Sequence, residues 1–104
     1  MAHKILPSAE QRLIEIWEYT CDKWGEQQAD SYITGLFAEL DKITDCQHLW
    51  KKVNHDELMD VFFVKYRHHF IFFRELPDTE LGVISILHEQ MDIPLRLIED
   101  SENN

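Results

Sequence analysis

The residues best equipped for chemistry fall between Lys65 and Asp92. Arg67-His68-His69 stands with Lys65 just ahead of it and with Arg74 and His88 further on. A histidine titrates near neutrality and can serve as a general base, while Arg or Lys can stabilise the charge of a phosphorane. Lys65, Arg67, Arg74 and His88 are therefore the candidate catalytic set of a metal-free ribonuclease. The same residues admit a plainer reading, a polar hairpin turn plus a strand-end histidine satisfied by backbone. Alternation along a strand sends Arg67 and His68 to opposite sides unless a turn intervenes.

Other chemistry finds less support. His88-Glu89-Gln90-Met91-Asp92 fails the zinc-protease pattern, because Asp92 stands where the second histidine belongs and the segment closes a strand. Gly25, Gly35 and Gly82 lie too far apart to form a phosphate loop, and no serine sits in a nucleophile elbow. No metal and no cofactor is expected. Cys21 and Cys46 read as reduced thiols.

The 104 residues carry 10 Lys and Arg against 20 Asp and Glu, a formal net charge of −10. Proteins that hold nucleic acid unaided show a basic footprint, so binding of phosphates by the whole surface is excluded and a local patch is what remains. A hydrophobic fraction of 44% suits a folded domain with its own core. No run reaches the length of a membrane span, and the opening residues lack the apolar centre of a signal peptide, so a cytoplasmic protein is expected.

The elements that must position the cluster can be read in order. His3–Leu6 forms a short strand. Ser8 and Gln11 have the spacing of a capping box, and Leu13, Ile16, Trp17, Thr20 and Trp24 recur at helical period. Gly25 is placed to end this helix in the left-handed conformation. A second helix begins near Glu26, with Ala29, Tyr32, Ile33, Leu36, Phe37, Leu40 and Ile43 on one stripe, so the two pair as an antiparallel hairpin. Residues 45–57 read as a linker, anchored by Leu49 and Trp50 and with Lys51-Lys52 as solvated surface. Val61–Tyr66, His69–Arg74 and Leu81–Leu87 form a three-stranded antiparallel meander, with Leu76-Pro77-Asp78-Thr79 as a turn. Leu81, Val83 and Leu87 fall on one side of the last strand and Ile84 and Ile86 on the other.

The strands lack polar alternation, so both sheet faces need cover, from the chain's own helices and tail or from a partner. Leu95, Leu97 and Ile98 form a short amphipathic piece, and 99–104 a flexible acidic tail. The expected fold is α+β in a single domain, 1–104: an N-terminal strand, an antiparallel helical hairpin packed on a small sheet, and a short helical tail.

That order resembles the ParE branch of the RelE/ParE toxin superfamily. The resemblance is carried by Leu6-Pro7-Ser8-Ala9-Glu10, by Tyr19, Trp24-Gly25, Gln28-Ala29, Tyr32 and Leu36, and by Phe70-Ile71-Phe72-Phe73-Arg74 with Ile84-Ser85-Ile86-Leu87-His88 and the closing Met91-Asp92. Residues 46–60 match poorly, with Met59-Asp60 where the family often has arginine. The resemblance implies a type II toxin neutralised by a cognate antitoxin that wraps the helical hairpin and the sheet, by strand addition and helix-in-groove contact. Its target would be DNA gyrase, blocked by binding and not by catalysis, with growth arrest or plasmid maintenance as the outcome. The alternatives are a RelE-type ribosome-dependent ribonuclease and a weakly toxic co-regulator. On the same footing, Leu13, Trp17, Trp24, Tyr32, Phe62, Phe72 and Leu87 would bind the antitoxin, and Arg67, His68, Arg74, His88 and Arg96 the target. DNA would be reached only through the antitoxin, in a higher hetero-oligomer, and no membrane is involved.

Overall fold

A computed structural model of the protein describes residues 3–78 and 80–104. The elements run β1 (His3–Ile5), α1 (Pro7–Trp24), α2 (Glu26–Thr44), β2 (Lys51–Lys52), β3 (Val61–Tyr66), β4 (His69–Glu75), β5 (Leu81–His88) and α3 (Ile93–Glu102), with 3-10 turns at Gln47–Leu49 and Asp56–Leu58. The sheet has the order β1-β5-β4-β3-β2. β1 lies parallel to β5 and every other pairing is antiparallel. The α+β architecture, the hairpin of helices and the meander stand as read. The strand β2 does not: Lys51 and Lys52 pair with Phe63 and Phe62 as a fifth, edge strand. Lysines are common on such edges because their charge discourages further strand addition.

α1 and α2 cover one face of the sheet. Ala9, Ile16, Leu36, Leu40 and Ile43 pack there on Val64, Ile71, Phe73, Leu81, Val83 and Ile86. α3 and the 56–58 turn cover the other, where Leu58 and Leu97 pack on Val61, Phe72, Ile84 and Leu87. Burying one such side chain contributes about 1.5–3 kcal/mol, so the chain itself shields most of both apolar faces.

The face assignments of β5 need correction. The register skips a residue between Phe72 and Phe73, so Phe72 faces Ser85 while Phe73 faces Val83. This bulge inverts the alternation downstream. Ile86 joins Leu81 and Val83 under the helices, and Leu87 joins Ile84 under α3.

Two caps also differ from expectation. Leu6 is the N-cap of α1, with Pro7 in its first turn. Ser8 forms no capping box: its hydroxyl donates to the Asp100 carbonyl at 3.1 Å, and its backbone N–H donates to the Asn104 side chain. Gly25 has φ +92° with an extended ψ of 166°, so positive φ is required there but not the left-handed helical geometry. In the 76–80 turn the Asp78 carboxylate accepts the Glu80 N–H, while Thr79 lies outside the described residues. Trp50 anchors its loop by donating from Nε1 to the Ile43 carbonyl at 2.7 Å, whereas Leu49 stays exposed.

Residues 99–104, read as a flexible acidic tail, continue α3 to Glu102, and Asp100 is buried. Its carboxylate accepts Arg12 Nε at 2.9 Å, Arg12 Nη2 at 3.1 Å and the Ser85 hydroxyl. One carboxylate thus ties α3 to α1 and to β5.

Candidate functional site

At one end of the molecule the α1–α2 junction faces the β3–β4 turn across an open cleft of about 880 Å³. The Gly25 break lets α1 and α2 fold back on each other, bringing Tyr19 and Trp24 opposite Tyr32. Trp17 Nε1 donates to Asp30 Oδ1 at 2.9 Å and fixes the relative position of the two helices. Gly35 of α2 leaves room for the Tyr66 ring, whose Cζ would be 3.1 Å from an added Cβ. Tyr66 in turn packs edge-on against Tyr32 at 5.3 Å. From the sheet, the two-residue turn Arg67-His68 and the end of β5 supply the opposite wall.

The turn brings the imidazoles together. His69 and His88 are cross-strand partners with ring centroids 5.1 Å apart, and His68 stacks on His88 at 6.2 Å. His88 Nδ1 accepts the Gln90 N–H, which places the proton of the neutral ring on Nε2. His69 Nδ1 lies 2.7 Å from the Tyr32 hydroxyl. Burial, reinforced by His88 and His68, lowers the His69 pKa to about 4, so the ring is neutral at pH 7 and accepts from the phenol. Burial likewise raises the Tyr32 pKa, so the phenol keeps its proton.

Glu89 is the carboxylate nearest this cluster, with Oε1 3.6 Å from His68 Nδ1. Lys65 meets it at 2.8 Å and holds its pKa below the usual carboxylate range. Arg67 has φ +53°, a conformation that glycine or asparagine adopts at lower cost. Its guanidinium lies 5.6 Å from the Tyr66 ring centre.

The candidate residues separate into groups. Arg67, His68 and His88 line the cleft, and Lys65 touches it only through Glu89. Arg74 is elsewhere. It sits five residues along β4 from His69, about 17 Å away at the strand rise, with Nε 3.5 Å from Asp60 but without a hydrogen bond. Arg96 lies on α3, 3.5 Å from Glu99.

Of the expected antitoxin contacts, Trp24 is 73% exposed, outside the buried stripe of α1, and Trp17 and Tyr32 are partly exposed. Leu13 and Phe62 pack against the helix-side core. Phe72 and Leu87 are buried beneath α3 and have no surface to offer while that helix is in place. Among the partly exposed apolar side chains on that face are Phe63 and Phe70, which with Val53, Ile93 and Pro94 border a smaller apolar groove of about 260 Å³. Sequence reasoning missed the Tyr32–His69 pair, since the helix-to-turn register leaves no local signal.

No described helix is long and apolar enough to cross a membrane. The profile of the family described as "ParE toxin of type II toxin-antitoxin system, parDE" matches residues 4–93. The chain is 28% identical over 92 residues to Toxin ParE1 of Mycobacterium tuberculosis, in the strains CDC 1551 / Oshkosh and H37Rv alike, covering 88% of this chain and 92% of the relative. Among solved structures it resembles a chain of the chromosomal ParDE TA system from P. aeruginosa, with a TM-score of 0.70 and 13% identity, over 85% of this chain and 95% of that one. It also resembles a chain of the toxin–antitoxin complex RelBE2 from Mycobacterium tuberculosis, with a TM-score of 0.55 and 12% identity, over 84% and 95%. With 90 of its 104 residues inside the matched span, from β1 to the start of α3, the chain belongs to the ParE toxin family of type II toxin–antitoxin systems.

Proposed function

We propose that this toxin is neutralised by a cognate antitoxin and acts in the cytoplasm on DNA gyrase, by binding and not by breaking bonds. The observation that carries the reading is the separation of the candidate catalytic groups. Arg67, His68 and His88 share the cleft, but Arg74 stands about 17 Å along the same strand, too far to stabilise a transition state that His88 serves. Exposed Tyr19 and Trp24 instead give the cleft rim the aromatic character of a docking surface.

The solved relatives are described as toxin–antitoxin systems or complexes, which supports an antitoxin partner here. Such a segment has two places to lie, the α1–α2 hairpin around the partly exposed Trp17, and the apolar groove beside Phe63 and Phe70. DNA contact would then come through the antitoxin, in keeping with a net charge of −10.

The test combines two assays on the purified chain. With gyrase, supercoiling is expected to stop and a cleaved complex to accumulate, and addition of the protein encoded next to this gene is expected to reverse both. With translating ribosomes, mRNA is expected to remain intact. Codon-linked cleavage that disappears in His88→Ala would replace this reading with a ribonuclease.

A further inference from the structure

The cleft has a composition unlike the rest of the molecule. In a chain with 20 acids among 104 residues, none of the twelve residues lining it is Asp or Glu. It holds three of the six histidines together with Arg67. Opposite these lie the aromatic rings of Tyr19 and Trp24, 63% and 73% exposed. Trp and Tyr are enriched at binding surfaces, and every base has a face that can stack on such a ring.

We propose that this cleft binds a nucleotide unit, its base stacked on Trp24 and Tyr19 and its phosphate held by Arg67 with His68 and His88. Four observations bear on it. The volume, about 880 Å³, falls inside the range of roughly 300–1,000 Å³ typical of small-ligand pockets. The nearest carboxylate, Glu89, is already neutralised by Lys65 at 2.8 Å, so an incoming phosphate does not meet an unpaired negative charge. The two chemistries also lie on opposite walls, aromatic on the helices and cationic on the turn, so the ligand must carry a ring and an anion together. Arg67 makes no ion pair among the described residues and occupies a turn position with φ +53°, where a smaller residue is less strained. A charged side chain held there at conformational cost points to a use for the charge.

The ligand is either a free nucleotide or a nucleotide within a single strand, and titration calorimetry separates the sources. ATP and a five-residue uridine oligonucleotide serve as the two probes, with inorganic tripolyphosphate as the anion lacking a ring. At low salt, binding of either nucleotide probe at 1:1 stoichiometry, at least ~10-fold tighter than tripolyphosphate, is expected, a single strong contact being worth about that factor. ATP binding identifies a free nucleotide, and oligonucleotide binding alone identifies a strand.

Two variants locate the site. Arg67→Gly removes the charge while relieving the backbone, so its melting temperature is expected to match or exceed that of the unmodified protein as its affinity falls ~10-fold. Trp24→Ala truncates an exposed ring and is expected to weaken the nucleotides without changing the response to tripolyphosphate. No heat with either nucleotide, equal affinity for tripolyphosphate, or unchanged affinity in both variants overturns the proposal. None of these outcomes depends on the gyrase assay.

Discussion

His69 shows how one buried ring ties the cleft to the stability of the fold. Its folded pKa of about 4 lies below the ordinary histidine value of 6.5, because burial and then His88 and His68 disfavour the imidazolium. Glu89 acts in the opposite sense, and the Tyr32 hydroxyl occupies Nδ1. As pH falls below 6.5 the unfolded chain takes up a proton that the folded ring refuses. The stability from this site is therefore complete above pH 6.5 and is lost on the way down to about pH 4. For a ring of this partial exposure the loss is on the order of 1–2 kcal/mol after solvent screening. The His69 ring protons followed by NMR are expected to titrate with a midpoint near 4, and His69→Phe is expected to flatten the stability profile between pH 6.5 and 4. A His69 midpoint near 6.5 would remove the argument. The grouping of Arg67, His68 and His88 was legible in the sequence because a tight turn and neighbouring strands nearly force it. The Tyr32–His69 bond was not, because it depends on how α2 lies over the turn, and no local pattern encodes that.

Elements were legible where a period was long and uniform. α1, α2 and the three long strands follow directly from their apolar spacing, but β2 has only two residues, both lysines. The bulge at Phe72/Phe73 likewise has no sequence mark, yet it decides which of Ile86 and Leu87 meets the helices. α3 was misjudged at its end because Glu99-Asp100-Ser101-Glu102 reads as solvated charge. What buries Asp100 is distant in sequence: Arg12, whose side chain is 16% exposed, and Ser85. Asp100→Ala would leave the buried Ser85 hydroxyl without its partner and the shielded Arg12 guanidinium with Glu15 at 3.2 Å alone, a loss of about 2–4 kcal/mol measured by urea unfolding. The paired change Asp100→Leu with Arg12→Met is expected to recover much of that loss, since an apolar pair needs no counter-charge. A single substitution costing under about 0.5 kcal/mol would place it among ordinary surface changes and show that Asp100 does not hold α3.

At the scale of the whole molecule, the apolar sheet left its cover open between the chain and a partner, and α1 and α2 on one side and α3 on the other bury most of it. Net charge is then a global electrostatic term that opposes the fold. Ten Lys and Arg against 20 Asp and Glu leave −10, within principal extents of 38 × 29 × 21 Å. At 0.01 M salt the screening length is about 30 Å, so charges on every side repel one another, and compacting the chain raises that repulsion. At 0.5 M the length falls to about 4 Å, leaving only contacts such as Arg12–Asp100 at 2.9 Å. The isolated chain is therefore expected to unfold cooperatively without a partner, and to melt several degrees higher in 0.5 M than in 0.01 M NaCl, a gain of ~1 kcal/mol corresponding to about 4–8 °C. The same salt should weaken nucleotide binding at Arg67, because screening acts there on an attraction. Opposite responses of melting temperature and affinity separate a repulsive surface from an attractive cleft. A melting temperature that falls with salt would mean that the local ion pairs outweigh the net charge.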